Sequence, residues 1–251
     1  MEKLNVYYSK EFYKQYSKHA IMDPDTVQLG DIIDCHTFEV IGSLNDFGID
    51  FTEREKGKPN DNAEPIYKSK DITVGDLSVG LKDIAKVSLK FNSDHSLYLA
   101  TKGSKIVSIT EDNLGKNNLG KQIIDLYNEG KWKKDWIVVT EVEYTKKALI
   151  ILSNGKKAQI ELKAQSPIPI SIGEMINADL SFGRESSIGF KYIMPEGEYR
   201  SILFKAKAIS QSFLDGPVFT SRDFTLPGNV SSGFEIPPEE PEYLTEFEWD
   251  D

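Results

Sequence analysis

Residues 136–152 read WIVVTEVEYTKKALIIL. The first nine of them, WIVVTEVEY, are mostly β-branched or aromatic and predict a strand. ALIIL (148–152) predicts a second strand and AQIELKA (158–164) a third. Asn154-Gly155 stands between these two, and its tolerance of positive φ marks a hairpin turn. Working outward toward the C-terminus, Ile176, Ala178, Leu180 and Phe182 alternate with Asn177, Asp179, Ser181 and Gly183. Ile188, Phe190 and Tyr192 alternate across Gly189 and Lys191, and residues 199–209 form a last strand candidate. Toward the N-terminus, Val87, Leu89 and Phe91 alternate with Ser88, Lys90 and Asn92, and Ile106, Val107 and Ile109 suggest another strand. This period of two is the pattern of half-buried strands.

Helical spacing is confined to short stretches. Phe12, Tyr16 and Ala20 recur every four residues within 8–20, and Leu77, Leu81, Ile84 and Ala85 suggest a helix over 74–86 that Gly75 and Gly80 weaken. Residues 117–127 predict a third helix with Gly130 as its stop. Residues 54–65, REKGKPNDNAEP, read as an exposed loop. From Ser210 onward the patterning fades, and prolines at 217, 227, 237, 238 and 241 argue against a continuous element. The fold class expected is α+β: a twisted, mostly antiparallel central sheet, a few surrounding helices and an irregular C-terminal tail. The expected division is a body over 1–209 and a tail over 210–251.

With 39% apolar residues and 251 positions, the chain can build a full core. It has no apolar run near the ~18 residues of a membrane-spanning helix. Residues 1–6 lack the apolar stretch of a secretory signal, and the single Cys35 suits a reducing cytoplasm. The formal charge of −10 is concentrated at the end: residues 235–251 hold eight acids and no base, which leaves −2 for residues 1–234. A nearly neutral body has no dominant basic face for nucleic acid.

Candidate chemistry is sparse. Residues 115–121, GKNNLGK, have the spacing of a phosphate-cradling loop, but Gln122 stands where a magnesium-binding hydroxyl belongs. A turn that caps a helix is the simpler reading. His19, His36 and His95 are not at metal-ligand spacing from one another. Cys35 and His36 are adjacent, so a strand sends them to opposite faces, which reads as a buried thiol beside a surface histidine rather than a nucleophile pair. Glu141 and Glu143 share one strand face and read as solvated acids. Lys131, Lys133, Lys134, Lys146, Lys147, Lys156 and Lys157 cluster around the strong strands. They either keep strand ends soluble or attract anionic headgroups. No catalytic, cofactor-binding or metal-binding residue is expected.

The pattern as a whole resembles the bacterial gasdermins. WIVVTEVEYTKKALIIL is similar to the "VVTEV" strand of that family, and residues 160–209 resemble its closing segment, with Phe204-Lys205-Ala206 matching the end of a strand of the "FGFKA" kind. Residues 22–34 (MDPDTVQLGDIID) and 40–47 (VIGSLNDF) resemble two N-terminal stretches of the same family. Positions 2–7 offer no cysteine for the acylation that many bacterial members carry, and residues 80–103 lack a Gly-rich run.

The resemblance implies a non-enzymatic, autoinhibited pore-former. A protease removes the C-terminal tail, and the monomer then refolds strands into long hairpins. Many copies assemble into a membrane β-barrel that kills the cell in antiphage defence. The implied partners are an activating protease, membrane lipids after cleavage and further copies of the chain, without nucleic acid and without a cofactor. The implied location is the cytoplasm, then the inner membrane. Val87, Leu89, Phe91, Ile160, Leu162, Ile176, Leu180 and Phe182 would belong to membrane hairpins. Lys133, Lys134, Lys146, Lys147, Lys156 and Lys157 would face lipid. Phe213, Leu214, Val218, Phe219, Phe224 and Leu226 would pack the inhibitory tail on the body, and Asp215, Arg222 and Asp223 are candidate residues before the cut. The alternative is a binding or inhibitor protein whose acidic tail docks on a partner.

Overall fold

A computed structural model describes residues 12–13, 16–21, 26–60, 66–69, 71–75, 78–80, 82–93, 96–114, 119–168, 170, 172–178, 180–212 and 216–219. The early strands are β1 (His19–Ala20), β2 (Asp31–Asp34), β3 (Val40–Ser43) and β4 (Glu53–Asn60). Next come β5 (Ile66–Lys68), β6 (Ile72–Val74), β7 (Ser78–Gly80), β8 (Ile84–Phe91) and β9 (Leu97–Ile109). Helices α1 (Glu111–Leu114) and α2 (Leu119–Asn128) precede β10 (Trp136–Ser153) and β11 (Ala158–Gln165). Helix α3 (Ile172–Asn177) is followed by β12 (Ser181–Ser186), β13 (Ile188–Met194), β14 (Arg200–Ser212) and β15 (Gly216–Phe219). The protein is an α+β chain dominated by antiparallel strand pairing.

The chain divides into two compact units. One draws on the described residues of 1–58, 106–144 and 201–251, the other on those of 59–105 and 145–200. In the first unit the strand order β1-β14-β10-β2-β3 places the N-terminal half of β10 centrally. Its register against β2 is Trp136↔Asp34, Ile137↔Ile33 and Val138↔Ile32. The sheet is covered on both faces. Ile33, Ile137, Val139 and Phe204 join one apolar cluster with Tyr13 and Ile21. Ile32 and Val138 join another with Leu44, Ile123 of α2, Trp132 and Ile209. Ile32 and Ile33 are both 0% exposed, so neighbours in sequence are dry on opposite sides. A strand buried on both faces needs the continuous apolar run that WIVV supplies.

The second unit is a two-sheet sandwich. β10 pairs β13 from Ala148↔Met194 to Leu152↔Phe190, and β5 pairs β9. The facing sheet has the order β12-β11-β8-β6, with β7 also on β8. Leu149, Ile151, Tyr98 and Ala100 meet Val87, Leu89, Phe91, Ile160 and Leu162 in one cluster.

Several expectations are corrected. Phe12, Tyr13 and Tyr16 are helical, but Ser17 turns at φ 53 and His19–Ala20 is a strand on β14, so the helix stops before Ala20. Residues 53–60 are strand β4, not loop; it pairs β9 and exposes Glu53 to Lys56, which removes the apolar alternation that would have revealed it. No helix forms over 74–86: the described residues belong to β6, β7 and the start of β8, and Lys82 (φ 65) and Asp83 (φ 54) make a turn that a helix cannot contain. Leu77 and Leu81 lie outside the described residues.

Asn154-Gly155 closes no hairpin. β13 holds the place beside β10, β11 pairs β8 and β12, and the turn carries the chain from one sheet to the other. The strands expected over 136–144 and 148–152 are one strand of 18 residues, because Lys146 and Lys147 fit the ladder without ending it. The alternation over 176–183 is not one strand: Ile176 and Asn177 end helix α3, and β12 begins at Ser181. Met175 and Ile176 are sequence neighbours that enter the same cluster, which a helix allows and a strand does not. The expected strand at 199–209 is β14, but it runs on to Ser212 and pairs β15 from Ile209↔Phe219 to Ser212↔Gly216. Pro217 is tolerated there because β15 has β14 as its one sheet neighbour among the described residues, leaving an edge without need of its N–H. Residues 220–251, with the acidic stretch, lie outside the described residues.

Alternation in β8 makes opposite demands on neighbouring positions. Leu89→Ala should lower unfolding free energy by about 2–5 kcal/mol, and Lys90→Ala should stay within about 0.5 kcal/mol of wild type, measured by urea denaturation.

Candidate functional site

Strands β8 and β11 form an amphipathic pair in the second unit. Their register sets Ala158 opposite Phe91, Ile160 opposite Leu89, Leu162 opposite Val87 and Ala164 opposite Ala85. All eight of these residues are at most 2% exposed. The intervening pairs are Gln159↔Lys90, Glu161↔Ser88 and Lys163↔Lys86. One face is therefore apolar and the other polar across seven consecutive pairs. Lysines placed directly opposite repel. Glu161 offsets this at Lys163, its Oε1 standing 3.2 Å from the Lys163 Nζ.

The apolar face is covered by Tyr98 and Ala100 of β9, Leu149 and Ile151 of β10, and Met175 and Ile176 of α3. Leu180 and Phe182 pack at its margin, and Lys191 Nζ sits 5.2 Å from the Phe182 ring centroid. Of the eight residues expected in membrane hairpins, Val87, Leu89, Phe91, Ile160 and Leu162 thus share one apolar face. Phe182 is the second residue of β12, Leu180 precedes that strand, and Ile176 is helical in this form.

The lysines divide between the two units. Lys133 and Lys134 belong to the first unit and Lys146, Lys147, Lys156 and Lys157 to the second. Lys156 and Lys157 are exposed in the turn before β11. Lys146 Nζ lies 5.0 Å from the Tyr199 ring centroid, and Lys133 Nζ 5.5 Å from that of Trp136. Lys147 is buried and its Nζ donates to Ala178 O at 3.0 Å, so it is not a surface cation here. Asp215, Arg222, Asp223, Phe213, Leu214, Phe224 and Leu226 lie outside the described residues; Val218 and Phe219 are in β15.

In the first unit, Glu141 and Glu143 are not a solvated face. Glu143 is paired with Lys18 at 2.6 Å. Glu141 takes Lys56 at 2.6 Å and Lys205 at 3.2 Å, and lines a cleft of ≈ 150 Å³ with Lys56, Lys205, Lys207 and Thr140. That is below the ~300 Å³ of ordinary small-molecule pockets. Burial would raise the Glu141 carboxyl, but the hydrogen bond from Lys56 and the charge of Lys205 outweigh it and hold it below the usual range. Burial first, and then the charge of Lys56, lower the Lys207 ammonium. The alternating lysines at 205 and 207 were the signal that could have revealed these partners.

His19 is fully buried, its ring stacked at 4.7 Å on Tyr13 and 4.8 Å on Phe204, and burial lowers it to about 3. Leu119 to Gln122 lie in α2; residues 115–118 and His95 are outside the described residues. Cys35 and His36 are not on opposite faces of a strand: β2 ends at Asp34, and both approach Asp135. Among the described residues no helix is long and apolar enough to cross a membrane, which says nothing of strands.

No family profile matches the sequence, and no curated protein does. Among solved structures the chain is similar to the Gasdermin A3 membrane pore, with 7% identity over 87% of this chain and 94% of that one, at a TM-score of 0.32. It is also similar to a bacterial gasdermin from Bradyrhizobium tropiciagri, with 13% identity over 84% of this chain and 90% of that one, at a TM-score of 0.34.

The Glu141 arrangement carries a pH signature. A carboxyl lowered in the folded state stabilises above its unfolded pKa of about 4.5 and loses that contribution as pH falls through the folded value. Glu141→Gln should therefore destabilise at neutral pH by on the order of 1 kcal/mol, discounted because Lys56 is half exposed. The gap between variant and wild type should narrow on acidification; urea midpoints across a pH series measure it.

Proposed function

We propose that this protein is an autoinhibited pore-former of the gasdermin kind, which needs no catalytic residue. The observation that carries the reading is the β8–β11 pair, seven of whose eight registered pairs alternate between one apolar and one polar face. A membrane β-barrel asks for this dyad pattern, with the apolar face toward lipid and the polar face toward a water-filled lumen. Closure of the barrel would satisfy the backbone groups that an open sheet edge leaves bare. Each strand has eight residues, just short of the roughly 9–11 that a tilted membrane strand needs, so each would recruit adjoining turn residues. Lys156 and Lys157, exposed in one such turn, would meet anionic headgroups. The sequence resemblance over 136–152 and 160–209 supports the same reading.

On this reading the chain is a cytoplasmic monomer whose tail is removed by a protease. The released form oligomerises in the inner membrane, and the resulting leak kills the cell during phage attack. β15 belongs to the inhibitory segment, because its pairing to β14 is what a cut near Asp215 would free. A cut after Arg222 or Asp223 would leave it in place.

Dye release from liposomes of bacterial lipid tests this. The full chain should be silent, a chain stopped after Asp215 should leak, and expression of the shortened form alone should be toxic. Silence of both forms, with the shortened one folded, would reject the pore and favour a binding module with an acidic docking tail. A second measurement isolates the strands. Lys90 and Gln159 are exposed Cα partners, so K90C/Q159C should form a disulfide that staples β8 to β11. If each strand forms its long membrane hairpin with a sequence neighbour, β8 and β11 must part, so leakage from the shortened chain should vanish when this bond is oxidised and return on reduction; unchanged leakage would show that β8 and β11 do not separate.

A further inference from the structure

Cys35, His36 and Asp135 converge in the first unit. One ligand atom from each, the thiol sulfur, an imidazole nitrogen and a carboxylate oxygen, lies within 4.8 Å of the other two. The His36 Nε2 is 3.4 Å from the Asp135 Oδ2. The convergence is built by the backbone. Cys35 N donates to Asp135 O at 2.9 Å, which fastens the entry of β10 to the end of β2. Asp34 Oδ1 accepts from His36 N at 2.9 Å and from Thr37 N at 3.3 Å. That turn ends the strand and lets two sequence neighbours reach the same point.

We propose that Cys35, His36 and Asp135 form a three-ligand site for a thiophilic divalent cation of the zinc class. The donor set is one sulfur, one nitrogen and one oxygen, which suits a borderline-soft ion and is a poor match for magnesium or calcium. In a tetrahedral zinc site the ligand atoms stand about 3.5 Å apart, given metal–ligand distances of about 2.0–2.3 Å. The His36–Asp135 spacing already meets this, and the remaining spacings, at most 4.8 Å, need a closure of no more than about 1.3 Å. Side chains that are 36% and 44% exposed can supply it by rotamer change, and they leave a path for the ion and a fourth position for water. Cys35, 1% exposed, is the fixed ligand.

The same three residue types could suggest a nucleophile with its base and orienter. The thiol argues against that. Burial, and then the charges of Asp135 and Asp34, push it up to about 12, whereas a nucleophilic cysteine needs its thiolate favoured. A bound cation supplies the missing positive charge and takes the sulfur as thiolate, with release of the thiol proton. The ion would join β2 to β10 at the start of the central strand. This site is separate from the β8–β11 pair and does not depend on the pore reading.

The test uses the full chain without an affinity tag, stripped with a chelator and titrated with cobalt(II). The expected result is one equivalent bound, with a thiolate-to-cobalt charge-transfer band and tetrahedral ligand-field bands, both bleached by zinc. C35S should lose the charge-transfer band. H36Q and D135N alter half-exposed side chains and should each weaken cobalt binding at least about tenfold with an unchanged circular dichroism spectrum. Absence of the charge-transfer band in the full chain, or equal affinity in H36Q and D135N, would overturn the site.

Discussion

The first half of β10 must be dry on both sides while carrying two carboxylates. Ile137, Val138 and Val139 send side chains into two different clusters, so the strand is stable only with apolar cover above and below. The cover comes from the distant Tyr13 and Ile21 on one side and from the preceding segment, Ile123 and Trp132, on the other. Glu141 and Glu143 then follow in a strand with little access to water. An unpaired buried carboxylate costs several kcal/mol. Lys56 of β4, Lys205 of β14 and Lys18, just before β1, relieve that cost and tie those segments to the central strand. Cover and charge pairing together fix which segments lie beside the central strand.

The second half of β10 lives under a different rule. Leu149 and Ile151 face the β8–β11 layer, while Lys147 reaches the carbonyl of Ala178. That layer is held by shape and by the dryness of one face, with a polar outer face that tolerates water. Its few ionic contacts, such as Glu161 with Lys163, lie on the outer face. Much of what keeps this pair in the sandwich is therefore the hydrophobic effect, which is non-directional. A lipid phase can replace it where a hydrogen-bonded cover could not be replaced.

Strand identity was legible in the sequence wherever one face is buried, as in β8 and β11. The apolar run of β10 was legible for the opposite reason, since two buried faces leave an unbroken β-branched stretch. What failed had three physical sources. β4 is exposed and charged, so its alternation has no apolar signature. α3 is short and ends at Asn177, and its Ile176 falls in step with Ala178, Leu180 and Phe182, so the end of a helix continues the alternation of the segment after it. The destination of the turn at Asn154-Gly155 depends on which edge is already taken by β13, and that is a property of the sheet rather than of the turn. The approach of Asp135 to Cys35 and His36 joins positions a hundred residues apart and had no local trace.

The pairing of β15 with β14 has a kinetic meaning. It spans four residues, Ile209 to Ser212 on β14 against Gly216 to Phe219 on β15. So short an edge would open from one end, bond by bond. Its detachment is a local opening whose free energy is a fraction of that for global unfolding. The β14 rim would then be bare for as long as the segment stays away, and a rim of unpaired amides and carbonyls is a template for another strand. The lifetime of that bare rim, set against the rate of encounter between copies, would decide whether the strand closes again on itself or is captured by a neighbour.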